Sequence, residues 1–135
     1  MGNNVAVLVV SHSAQLAEGV RELALQMARG SDLVWAVGGT DDGRIGTSAQ
    51  AIKNALEEAL GRAPAVVVLL DLGSAHLNTV MAIEMLAPEQ QAKVAMADAP
   101  LVEGAILAVV AAGSGSSLEE VRARAEEASA MHKLL

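Results

Sequence analysis

Four short, mostly aliphatic runs, each followed by a polar or glycine-rich junction and then a helical pattern, constrain this chain most. They are Val5 to Val10, Leu33 to Val37, Ala65 to Leu70 and Lys93 to Ala97. A near-continuous run of Val, Leu and Ala has no polar face, so as a strand it is covered on both sides. Regular alternation of such strands with helices predicts a parallel sheet with helices on both faces. Right-handed crossovers make 2-1-3-4 a natural strand order, with the switch point between strands one and three. The expected fold is therefore α/β, a doubly wound and mainly parallel four-stranded sheet. The third run is the most apolar and belongs in the centre, and Trp35 in the second is expected in the core.

The segments between the runs carry helix signals. Leu16, Val20, Leu23, Ala24 and Met27 recur at helical spacing, as do Ile52, Ala55, Leu56, Ala59 and Leu60. Thr47 to Gln50 has the form of a capping box, and Gly61 to Pro64 ends the helix it opens. A third helix bears Leu77, Val80, Met81 and Met85, and Pro88 breaks the chain after it. Pro100 suits the first turn of a fourth helix running through Val110. Ser117 to Glu120 is a second capping box, with a Glu120–Arg124 pair at i,i+4 in the helix it opens. There is no internal repeat, and the Gly/Ser connector at 113–117 is too short for an interdomain linker. Residues 1–135 are expected to form a single domain.

Composition removes several functions. The net charge is −7, with nine Lys and Arg in 135 residues. Nucleic acid and acidic membrane surfaces both call for a basic patch, so neither is expected as a partner. One Trp and no Phe or Tyr leave no rings for base or flavin stacking. The absence of cysteine excludes thiol nucleophiles, disulfides and cysteine-held metals. No signal-peptide pattern opens the chain, and the apolar stretch from Gly104 to Ala112 is too short to span a bilayer. A soluble cytoplasmic protein is expected.

Chemistry concentrates at the ends of the strands. The first run stops at Ser11-His12-Ser13, the second at Gly38-Gly39-Thr40-Asp41, the third at Asp71-Leu72-Gly73-Ser74 and the fourth at Asp98-Ala99-Pro100. In a doubly wound sheet these tips share the edge where ligands bind. The 2-1-3-4 order makes His12 and Asp71 neighbours across the crevice. A histidine nucleophile needs one bare ring nitrogen, and a carboxylate on the other fixes the tautomer and stabilises the charge that develops. Helix starts near Ser13, Thr47 and Ser74 offer free N–H groups to phosphoryl oxygens. The plain alternatives are that His12, Ser11, Ser13 and Asp71 only cap helices and that the 38–46 loop is only a surface loop. His76 is expected exposed or at an interface, and His132 solvated. A three-histidine metal site would require the tail to reach the sheet edge, so no metal is expected. Met81, Met85 and Met96 read as core or subunit-interface filler.

Four motifs occur in order: Val9-Val10-Ser11-His12-Ser13, Gly38-Gly39-Thr40 with Gly46-Thr47-Ser48, Asp71-Leu72-Gly73-Ser74-Ala75, and Asp98 through Ala105. On these the chain resembles the mannose-type IIA family of the bacterial phosphotransferase system. Within it, the resemblance is strongest to the phosphoryl-donor subunits of phosphoenolpyruvate-dependent dihydroxyacetone kinase. It implies that His12 takes a phosphoryl group on Nε2 from the histidine phosphocarrier HPr. The group then passes to ADP held on the kinase's nucleotide-binding subunit, so no cofactor of the chain's own is expected. Asp71 matches the orienting carboxylate, and the family is homodimeric. Ser13, Gly39, Thr47 and Ser74 are the candidates for phosphoryl contacts. Mannose-specific members have Gly rather than Ser beside the active histidine and a different third-strand motif, which moves the reading from sugar transport toward the kinase. Some members carry further phosphocarrier domains, so this is a single-domain member or one domain of a longer carrier. Two rivals remain: a receiver-like domain phosphorylated on Asp71, and a non-catalytic regulatory module that binds anions.

Overall fold

The computed structural model describes residues 4–134; the extreme ends of the expected 1–135 domain lie outside them. The elements are β1 (Ala6–Ser11), α1 (Ala14–Met27), β2 (Val34–Gly38), α2 (Ala49–Leu60), β3 (Val66–Leu70) and α3 (Ala75–Glu84). They continue as α4 (Pro88–Gln91), β4 (Val94–Met96), α5 (Leu101–Gly113) and α6 (Leu118–Glu126), with a final 3-10 turn at Glu127–Ala130. All strand pairs are parallel, and the order is β2-β1-β3-β4, as the crossover rule predicts. No helix among the described residues is long and apolar enough to cross a membrane.

The strands divide their side chains between two cores. Val5, Val7 and Val9 of the first strand region pack with Val67 and Leu69 against α1, α5 and α6. Ala6, Leu8 and Val10 pack with Val66 and Val68 against α2 and α3. Every residue of β1 is buried. At about 1.5–3 kcal/mol for each fully buried Val or Leu, β1 and β3 form the rigid centre of the molecule. The residues at the strand ends are rooted directly in that centre.

Several side chains sit differently from the sequence expectation. In α1 the inward residues are Ala17, Val20 and Ala24, whereas Leu16, Leu23 and Met27 are 46%, 42% and 65% exposed. α1 packs against α5, and the core residues of the two helices are mostly small, Ala17 and Ala24 on α1 and Ala105, Ala108 and Ala112 on α5, which suits a close approach. Trp35 is only half-buried, because β2 is an edge strand with no neighbour beyond it among the described residues. Its ring N–H donates to Glu58 (3.0 Å), and the Arg62 guanidinium lies 5.6 Å from the ring centre.

The cap of α2 is Ser48 rather than Thr47, with the Ala51 N–H donating to Ser48 Oγ. The second capping box holds: Ser117 and Glu120 cap α6 reciprocally. That use of Glu120 removes the expected Glu120–Arg124 pair, and Arg124 pairs with Glu127 instead. Pro100 stands at the cap of α5 rather than inside its first turn, and α5 continues to Gly113.

Candidate active site

The register of the central pair builds the site. Val10 pairs with Leu70, which sets Ser11 level with Asp71 and His12 just past the strand end. The Asp71 N–H donates to the Val10 carbonyl (3.1 Å), extending the ladder by one bond. Asp71 therefore faces the β1 terminus from a fixed position.

Both Asp71 oxygens are in use. Oδ1 accepts the Leu72 N–H (2.7 Å) and lies 3.0 Å from His12 Nδ1. Oδ2 accepts the His12 backbone N–H and the Ser11 hydroxyl, each at 2.9 Å. Burial pushes the Asp71 carboxyl up, but the donors from His12, Ser11 and Leu72 outweigh it and hold the group below its ordinary value. An ionised carboxylate only accepts, so His12 Nδ1 carries its proton toward Asp71, and in the neutral ring Nε2 holds the lone pair. The far side of the ring meets Ser74 Oγ, 2.8 Å from Nε2. The His12 side chain retains 20% exposure, enough to reach solvent at the sheet edge.

The backbone around His12 is pinned as well. Its carbonyl accepts the Gly46 N–H (2.8 Å), which ties the glycine-rich loop to the histidine. The Ser13 N–H donates to Ser11 Oγ (3.0 Å), and Ser13 Oγ accepts the Leu16 N–H (3.2 Å) to cap α1. The first amides of α1 after Ser13 have no intrahelical acceptor, as at any helix start.

Gly38 lies so close to this turn that a Cβ would stand 2.7 Å from the Ser13 carbonyl oxygen and 2.8 Å from that of Ser11. Gly38→Ala should therefore destabilise the fold by about 1–3 kcal/mol through forced backbone movement. A thermal melt checks this; an unchanged midpoint would mean that the turn has room to spare. Gly39 is buried with φ +84°, a conformation that favours glycine.

The sequence-predicted residues are thus only partly gathered. His12, Asp71 and Ser74 form one hydrogen-bonded row. Ser13 lies beside them but its oxygen caps α1. Thr47 makes no hydrogen bond to His12 among the described residues; its Oγ1 and carbonyl accept from Asn78 Nδ2 at 2.7 and 3.3 Å. Gly39 would meet Arg44 and Ala14 if it bore a Cβ, so it packs against the start of α1.

Asp98 is further off, beyond β3. It shares with Asp71, Leu72, His76 and Arg122 a cleft of about 630 Å³, and its N–H donates to Glu126. Three of the four strand tips therefore meet at His12, and the fourth lines the next cleft. His76 and His132 are exposed. Two residues escaped sequence reasoning. Ser11 is fully buried and donates to Asp71, which only the strand register could have revealed. Asn78, on α3, ties that helix to Thr47 and gave no local signal.

Comparison with known proteins fits this geometry. The EIIA-man family model, described as PTS system fructose IIA component, matches residues 6–122. The chain belongs to this IIA family. The PTS-dependent dihydroxyacetone kinase, phosphotransferase subunit DhaM, of Lactococcus lactis is 33% identical over 121 residues, covering 90% of this chain and 93% of that protein. The PEP-dependent dihydroxyacetone kinase, phosphoryl donor subunit DhaM, of Escherichia coli is 44% identical over 120 residues. That match covers 87% of this chain but only 25% of the relative, so the chain spans about a quarter of its length.

Among solved structures, a protein of unknown function is 35% identical with a TM-score of 0.80, covering 93% of this chain and 95% of that one. The PTS IIA protein associated with the fucose utilization operon from Streptococcus pneumoniae is 21% identical with a TM-score of 0.66, over 96% of this chain and 93% of its own. At that identity the likeness speaks for the IIA fold alone.

Proposed function

We propose that this chain is a phosphohistidine carrier. His12 Nε2 accepts a phosphoryl group from an HPr-type histidine phosphocarrier and passes it to ADP bound on the nucleotide-binding subunit of dihydroxyacetone kinase. The 3.0 Å contact between His12 Nδ1 and Asp71 carries the reading. It fixes the tautomer in which Nε2 is nucleophilic. The Nε2 lone pair forms the bond to phosphorus while the bond to the donor's leaving atom breaks, its electron pair staying with that atom. The ring gains positive charge, and the Nδ1 proton remains against the Asp71 carboxylate. No proton has to move, so the same geometry runs backwards when the group is passed on.

Donors around the ring suit the phosphoryl oxygens. Ser74 is already at Nε2, the first amides of α1 open beside it, and Ser13 and Thr47 keep their hydroxyl protons free after accepting a bond each. Gly39 lets backbone approach without a Cβ. Asp71 is a poor acceptor for the phosphoryl group itself, because four hydrogen bonds occupy its oxygens; this weighs against the receiver-like alternative. The names carried by the relatives from E. coli and L. lactis favour dihydroxyacetone kinase as the downstream enzyme.

These partners place the chain in the cytoplasm, and its charge of −7 suits electrostatic steering toward a basic carrier face. The chain loaded with labelled phosphoryl group should convert ADP to ATP only when the kinase's nucleotide-binding subunit is present. Transfer to free ADP without it, or no transfer with it, would contradict this reading.

The same reading includes a homodimer. Leu77 and Met81 on α3 and Met85 at its C-terminal cap form an i, i+4, i+8 row, at 73%, 52% and 43% exposure, a surface that a second copy can cover. Sedimentation equilibrium at micromolar concentration should report twice the mass of 13.8 kDa. A monomer at all concentrations would exclude it.

A further inference from the structure

The four serines near helix starts do not behave alike. Ser13, Ser48 and Ser117 each accept the backbone N–H three residues on, as capping serines do. Ser74 stands before α3 in a helical conformation (φ −66°, ψ −17°) and makes no side-chain cap bond. Its hydroxyl has one hydrogen bond among the described residues, and that bond is to His12 Nε2 at 2.8 Å. Since Asp71 holds the proton of the neutral ring on Nδ1, Nε2 is the acceptor and Ser74 the donor. In that neutral ring the Ser74 proton occupies the nucleophilic lone pair.

We propose that Ser74 guards the nucleophile: its hydroxyl proton covers the Nε2 lone pair at rest and turns to a phosphoryl oxygen as the N–P bond forms. The inference rests on the carrier reading above and adds selectivity to it. Any electrophile must displace the Ser74 proton from Nε2. A phosphoryl donor restores the lost hydrogen bond with one of its own charged oxygens, in a stronger form. A neutral acyl electrophile offers no such anionic oxygen. The bond order is unchanged by the guard: Nε2 bonds to phosphorus, the donor's P–N bond breaks with its pair, and the Ser74 O–H stays intact throughout.

The test is one substitution with two readouts of opposite sign. Ser74→Ala should raise the rate at which diethyl pyrocarbonate acylates His12 by about three- to tenfold, the worth of one neutral hydrogen bond. His76 and His132 of the same chain serve as internal standards. The same variant should take up phosphoryl group from the phosphorylated carrier roughly tenfold or more slowly, having lost a bond to a charged oxygen. Ser74→Thr, which keeps the hydroxyl, should move both rates back toward wild type, and a thermal melt shows that each variant is folded. Acylation of His12 unchanged or slowed in a folded Ser74→Ala would overturn the guard. Faster phosphoryl uptake would overturn the second half, leaving the hydroxyl an obstruction only. A wild-type chain that takes up no phosphoryl group would sink the carrier reading, whereas the acylation rates judge the guard without any donor protein.

Discussion

His12→Ala should take up no phosphoryl group from a phosphorylated histidine carrier, with labelling at background. The expectation is absolute rather than graded, because nothing else at the sheet edge replaces the nucleophile. Ser11 is buried and committed to Asp71, Asp71 has both oxygens engaged, and Ser74 has no base once the imidazole is gone. The fold should survive. Truncating a part-exposed side chain loses its two ring hydrogen bonds and leaves Asp71 three donors, so destabilisation of about 1–2 kcal/mol is expected from thermal melts. Labelling comparable to wild type would place the acceptor elsewhere.

Asp71→Asn should slow transfer by about 10²-fold or more while preserving the shape of the site. The carboxylate presents four acceptor directions and uses each of them. An amide keeps one oxygen and turns its NH₂ toward groups that donate to the carboxylate in the wild type. If the NH₂ faces Oδ1's partners, His12 Nδ1 becomes the acceptor, and the ring presents Nε2–H in place of a lone pair. If it faces Oδ2's partners, the buried Ser11 hydroxyl and the His12 amide lose their acceptor, at about 1–3 kcal/mol for each group left unpaired. Rapid-mix measurement of uptake separates this from a cap-only role, in which the rate would stay within twofold of wild type.

The pH dependence has the same source. Asp71 is held below its ordinary value in the folded chain, so its contribution to stability is complete above the unfolded carboxylate value. It is lost only as pH falls through the lowered folded value. Across neutral pH the group stays anionic, and changes in transfer rate there do not come from Asp71.

How much of this was legible beforehand follows from the kind of signal each part leaves. Strands β1 and β3 are apolar over their whole length, and parallel order follows from handedness alone, so the neighbourhood of His12 and Asp71 could be read from the chain. The inward face of α1 could not. Leu16, Leu23 and Met27 outrank Ala17 and Ala24 in hydrophobicity, but the core residues of α1 and α5 are mostly small, which suits a close approach. Thr47 and Ser48 both suit a cap, and only the backbone decides between them. Ser11 and Ser74 look like ordinary capping serines in sequence. Their roles depend on a side-chain direction set by register and by the helical conformation of Ser74. The site's centre is thus a matter of topology, which sequence carries well, and its refinements are matters of a few ångströms, which it does not.

The central claim is a phosphoryl group on the His12 ring. Its most direct test is the wild-type chain incubated with phosphoenolpyruvate, enzyme I and HPr, followed by intact mass and fragment mapping under alkaline conditions. The account predicts one added phosphoryl group per chain, on the fragment containing His12, stable to alkali and lost in acid. A group on the fragment containing Asp71 that alkali removes, or no added mass at all, would contradict it.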